Sequence, residues 1–169
     1  MGKKYQAALE NLSSVKLESF DTQFIFIPKE LLFAQISGLM GNQQSEQAYY
    51  ESARSILKTK IQELPEDSRF RSSLGIAYAG LDLKDDAIRE GELATDLLPV
   101  SKEAWRGTFR IEDLARIYVM VDEFDMAIEK LEFLLSVPSE LSIPLLLLDP
   151  AWDPLRDHPR FKKLVEAEK

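Results

Sequence analysis

Along most of this chain apolar residues return at helical spacing, and a proline or glycine closes each run. Over residues 3–13, Tyr5, Ala8, Leu9 and Leu12 share one helical face. Pro28 suits a first helical turn, where its missing N–H is not needed, and Leu31, Leu32, Ala34, Ile36, Leu39 and Met40 then run to Gly41, suited to the turn beyond a helix end. Ser45 reads as the N-cap of a helix from Glu46 to about Glu63, stopped by Leu64-Pro65. Two further pairs follow, 68–81 with 84–98 and 107–121 with 123–137, stopped by Pro99 and Pro138. In the first of these pairs Asp82 to Asp85 make the tight turn, and Asp85 and Asp86 sit at the positive end of the next helix. Connections this short make neighbouring helices antiparallel, so the pattern predicts helix hairpins.

The tail breaks the pattern. Prolines at 138, 144, 150, 154 and 159 bar a long helix across residues 138–161. Asp153-Pro154 and His158-Pro159 each have the form of a cap followed by proline at the first helical position, and a short helix is expected over about 160–167. The region reads as a cap over the open end of a stack.

Leu74 and Leu114, Tyr78 and Tyr118, and Ala87 and Ala127 are each forty residues apart. A period of this size, built from two helical stretches, signals a solenoid of helix pairs. The pattern resembles the tetratricopeptide repeat, a motif of about 34 residues. From Ser68 to Ser101, Leu74-Gly75, Tyr78, Ala87, Ala94 and Pro99 fall at the family's matching places, whereas Arg71 and Gly91 stand where a bulky apolar group is usual. From Thr108, Ile111, Leu114, Ala115, Tyr118, Ala127 and Leu131 match, and Leu134 is larger than usual. A degenerate copy runs from Ile27 to about Pro65, in which Phe33-Ala34, Gly41 and Ala48 fit only with a two-residue insertion. Residues 5–13 resemble the second helix of a repeat whose first is missing, and Val100 to Gly107 supply the excess that stretches the period to forty.

The resemblance implies an all-α fold, a right-handed α-α superhelix of about three helix hairpins with a proline-rich cap. Its parts would be an orphan helix and linker (1–26), the degenerate repeat (27–65), two repeats (68–101 and 108–139) and the cap (140–169). It also implies a groove lined by the first helix of each pair. That groove would hold Arg69, Ser72, Ile76, Ala79 and Gly80, then Phe109, Glu112, Arg116, Val119 and Met120, with Leu31, Gln35 and Leu39 from the degenerate copy. Such a surface suits an amphipathic helix or an extended peptide. The same positions would equally be core if the chain's own extra elements covered them. The family's clamp for a chaperone's terminal carboxylate is missing, since its basic and amide places hold Ser72, Ile76 and Asp113.

The run from Leu148 to Phe161, LDPAWDPLRDHPRF, resembles the end of repeat regions in large bacterial signalling proteins, where repeats follow cyclase, kinase or DNA-binding modules. It implies a fragment of a larger, cytoplasmic bacterial protein. The function expected is a non-enzymatic protein–protein interaction scaffold with no cofactor. The alternatives are a regulatory or oligomerising module of a signalling protein, dimerising through its N-terminal end at Tyr5, Leu9 or Leu12, and a small-molecule sensor.

Charge and composition narrow the partners. With 21 basic against 29 acidic residues the net charge is −8, which disfavours nucleic acid and anionic membrane surfaces. Cysteine is absent, so thiolate catalysis, thiolate metal sites and disulfides are excluded. Asp149, Asp153 and Asp157 recur every four residues, but the interleaved prolines make capping a better reading than a cation site. His158, the sole histidine, forms no triad or metal cluster alone. Trp105 and Trp152 read as plugs between imperfect repeats, or as interface anchors if exposed.

Overall fold

The computed structural model describes residues 2–166, and most of them are helical. Met1 and Ala167, which bound the expected first segment and last helix, lie outside the described residues. Helix α1 (Gly2–Ser14) carries its apolar face, with Leu12 buried, against α2 (Lys29–Leu39). Between them lies an element that periodicity did not announce. Strands β1 (Ser19–Asp21) and β2 (Phe26–Pro28) pair antiparallel, with Phe20 opposite Ile27. The class remains all-α, with this short ribbon added.

Three hairpins follow: α2 with α3 (Gln43–Glu63), α4 (Ser68–Gly80) with α5 (Lys84–Leu97), and α6 (Ala104–Met120) with α7 (Phe124–Ser136). All three turn in the same way. Gly41, Asp82 and Asp122 take left-handed backbone angles, with φ of 72°, 59° and 62°. The amides just beyond, of Asn42, Leu83 and Glu123, donate to the carbonyls of Ser37, Tyr78 and Tyr118. This is the bond that closes a Schellman motif. The first hairpin therefore carries no insertion at its turn. Asn42, not Ser45, caps α3, its Oδ1 accepting from the Ser45 amide at 3.2 Å. The register makes Glu46 the counterpart of Ala87 and Ala127, since each lies five residues beyond its left-handed residue. The excess of the degenerate copy lies instead in α3, which has 21 residues against 14 in α5 and 13 in α7.

The departures in the middle hairpin have physical partners. Arg71 pairs at 2.8 Å with Glu90, which is only 7% exposed, so an ion pair replaces an apolar contact. Gly91 leaves the hollow that Leu114 and Ile117 fill, for a Cβ there would lie 2.8 Å from a methyl of each. The segment taken as an insertion at Val100 to Gly107 is partly helix, because α6 begins at Ala104. Trp105 thus stands on a first helical turn, 40% exposed, and not on a loop.

Two cores form. The first gathers Leu31, Ala34, Tyr50, Leu57, Leu74 and Ala77 between the first two hairpins, with Phe26 of the ribbon. The second joins Leu114, Ile128, Leu131 and Leu134 to the tail, and Ile88 borders both. The tail folds as α8 (Ile143–Leu148), a 3-10 helix (Pro150–Leu155) and α9 (Pro159–Glu166). Asp149 caps the 3-10 helix by accepting from the Ala151 amide at 2.9 Å. Asp153 lies inside that helix with Pro154, so it is no cap. Trp152 is 1% exposed and plugs the second core beside Leu146, Leu155 and Phe161.

Candidate functional site

The first helices α2, α4 and α6 contribute to one surface, and the chain itself covers much of it. The ribbon lies across the starts of α4 and α6. Arg69 bonds the Thr22 carbonyl and Asp21, Arg110 donates to the Phe24 carbonyl at 2.6 Å, and Ser73 donates to the Phe26 carbonyl. Alternate carbonyls of residues 22–26 are thus held by side chains from two helices. Phe24 stacks on Phe109 with centroids 4.9 Å apart, and Phe26 meets Phe70 edge-on at 4.7 Å. Arg69 is fixed from below by Asp67, which also caps α4. Burial alone would raise the Asp67 pKa, but the hydrogen bonds and charge of Arg69 outweigh it and the pKa falls.

The tail covers the other side. Arg116 donates to Glu112 at 2.9 Å and Asp149 at 2.8 Å, and its guanidinium lies 4.8 Å from the Trp152 ring centroid. Burial disfavours its charge, yet the two carboxylates prevail and raise its pKa. Arg116 therefore pins the tail to α6.

Between the first hairpin and the tail a cleft of about 490 Å³ stays open. Gln35 and Leu39 of α2, Ile76 of α4, and Arg116 and Met120 of α6 line it, and Glu46 and Tyr50 enter from α3. Pro150, Ala151 and Pro154 form the tail wall. Leu39 is 50% exposed and Met120 36%. Two glycines give the α3 side chains their room: the Glu46 carboxylate lies against Gly38, and the Tyr50 ring against Gly80.

The residues expected in a groove therefore divide. Ile76, Arg116 and Met120 meet in the cleft with Gln35 and Leu39. Arg69 and Phe109 lie under the ribbon, and Glu112 is bonded to Arg116. Ser72, Ala79, Val119 and Leu31 are buried in the packing, and Gly80 lies beneath Tyr50. Glu46 and Tyr50 were not anticipated, because the two-residue gap assumed in the first copy hid the equivalence of Glu46 with Ala87 and Ala127.

Glu46 stands in the first turn of α3, where the helix dipole favours a carboxylate, yet burial and a like charge act against its ionisation. Its pKa is raised by burial first and by nearby Asp82 second, with no neighbouring cation lowering it. Tyr50 titrates well above the usual phenol range, through burial and the Glu46 charge. No cluster of three or more metal-ligating side chains occurs among the described residues. Asp149, Asp153 and Asp157 face Arg116, Arg156 and Lys162 instead of one another.

Comparisons with protein families, characterised proteins and solved structures return no match. Among the described residues no helix is long and apolar enough to cross a membrane.

Proposed function

We propose that this chain is a non-enzymatic, tetratricopeptide-like interaction module that takes a peptide or helix of another protein in the cleft between the first hairpin and the tail. The observation that carries this reading is the meeting of exposed Leu39 and Met120, from the first and third hairpins, over the buried Ile76 of the second at the floor of the cleft. Packed helices hold these groups in place before a partner arrives, which lowers the ordering cost of binding. The three matching hairpin turns support the repeat reading, and the cleft is where first-helix residues of all three hairpins come together.

Selection from a displayed random peptide library tests it. Selected peptides should shift the NMR signals of Leu39, Ile76 and Met120. They should bind the Leu39→Ser/Met120→Ser variant at least about tenfold more weakly, the scale expected for losing two partly buried apolar contacts. Selected peptides that bind the variant equally well would refute the cleft as the site.

A second reading, a regulatory unit within a larger signalling protein, draws on α8. There Leu145, Leu147 and Leu148 are 49%, 45% and 77% exposed, an apolar strip that another domain would cover.

A further inference from the structure

Glu46 occupies a place that the other two hairpins give to fully buried alanines, Ala87 and Ala127. There the second helix of a pair comes close to the first, and a small residue permits the approach. Here the first helix supplies the space instead: a Cβ at Gly38 would lie 2.5 Å from Glu46 Oε1. A carboxylate has thus been fitted between α2 and α3, lining the cleft, with no ion pair to a cation among the described residues.

The rest of the cleft adds to the imbalance. Among the described residues that line it, Arg116 is the only cation, and Glu112 and Asp149 already engage that guanidinium. Asp82, exposed outside the lining but close enough to raise the Glu46 pKa, adds further negative charge nearby. The last residues of α2 and α6, Leu39 and Met120, line the cleft, so the negative ends of two helix dipoles lie beside it, against the one positive end of α3 at Glu46. Around these charges the lining is apolar: Leu39, Ile76, Met120, the Tyr50 ring and the tail prolines. An anionic ligand would be repelled, and a wholly apolar one would bury Glu46 unpaired.

We infer that the cleft selects a partner-protein segment carrying one lysine flanked by apolar residues, its ammonium lodged against Glu46 and its apolar neighbours on Leu39, Ile76 and Met120. This rests on the peptide-binding reading above and adds the chemistry of the occupant. The four-carbon stem of lysine can lie along exposed Leu39 while its head reaches the carboxylate. The −8 net charge of the chain would draw such a basic segment toward it.

The test uses matched synthetic peptides, each with lysine, norleucine or glutamate between leucines, titrated by fluorescence anisotropy into the full chain. The lysine member should bind about tenfold more tightly than the norleucine member, as a charge-assisted contact in a partly desolvated cleft predicts, and the glutamate member should bind most weakly. In Glu46→Gln the lysine advantage should shrink to within about twofold, and Leu39→Ser/Met120→Ser should weaken every member. Circular dichroism and melting curves establish that each variant is folded. Equal binding of lysine and norleucine members that the double serine variant abolishes would overturn the charge inference and leave the peptide cleft standing. A lysine preference that survives Glu46→Gln would overturn it too. If no member binds, or if light scattering shows a dimer that Leu39→Ser/Met120→Ser dissolves, both the inference and the peptide reading fall.

Discussion

At the scale of single residues, Glu46 is the clearest conflict between packing and chemistry. Its folded-state pKa lies above the ordinary glutamate value, with burial the larger cause and Asp82 the smaller. The native state therefore holds the proton more tightly than the unfolded chain does. Stability contributed by the protonated form is present at acid pH and is lost as pH rises from the ordinary glutamate value through the raised one. Glu46→Gln removes the charge while keeping the shape. The variant should melt higher than the parent at about pH 7, and the difference should close at about pH 4, where both side chains are neutral. Thermal melts followed by circular dichroism across that range check it. A variant that melts lower at neutral pH would mean that the carboxylate holds the fold together, and its role in binding would lose its main physical argument.

At the scale of elements, the helices and their order could be read from the sequence, because amphipathic spacing and proline stops act locally. The turns could be read only in part. Gly41 announces a left-handed turn, but Asp82 and Asp122 take the same conformation and look like ordinary polar turn residues. With only one of three equivalent turns visible, the sequence pattern fits the first copy only with a gap and gives no sign of Glu46 as a site residue. The ribbon was hidden for another reason. Its holding bonds join residues 47 and 86 positions apart, from Arg69, Ser73 and Arg110 to carbonyls of residues 22–26, and no local pattern encodes them. The shared turn makes a quantitative prediction. Asp122 is exposed, at φ 62°, beyond the negative end of α6, so both backbone sterics and charge oppose it. Asp122→Gly should stabilise the chain by about 0.5–1 kcal/mol, and Asp122→Ala should destabilise it. Urea unfolding of the pair measures both, and equal stability of the two variants would argue against left-handed strain at this turn.

Across the whole molecule, packing runs from neighbour to neighbour: α3 meets α4, α4 and α5 meet α6, and the tail meets α6 and α7. Contacts of this order make stability a sum of local units and interfaces more than a single global sum. The tail is part of this scheme and no loose appendage, since Trp152, Leu155 and Phe161 complete the core that Leu114, Leu131 and Leu134 begin. Trp152 also carries the Arg116 guanidinium, which in turn bonds Asp149 at the edge of the cleft. Trp152→Ala should therefore cost about 3–5 kcal/mol, the range for emptying a large buried aromatic site. The loss should be uneven. Native-state hydrogen exchange should show amides of α6, α7 and α9 losing protection, while those of α2, α3 and α4, packed in the other core, keep most of theirs. The cleft should fail with the C-terminal half, because its tail wall is held by that core and by the Arg116–Asp149 pair beside it, so a peptide held at Leu39 and Met120 should bind more weakly even where α2 remains protected. A uniform loss of protection across both cores would show instead that Ile88 and the α4–α6 contact weld the hairpins into one cooperative unit.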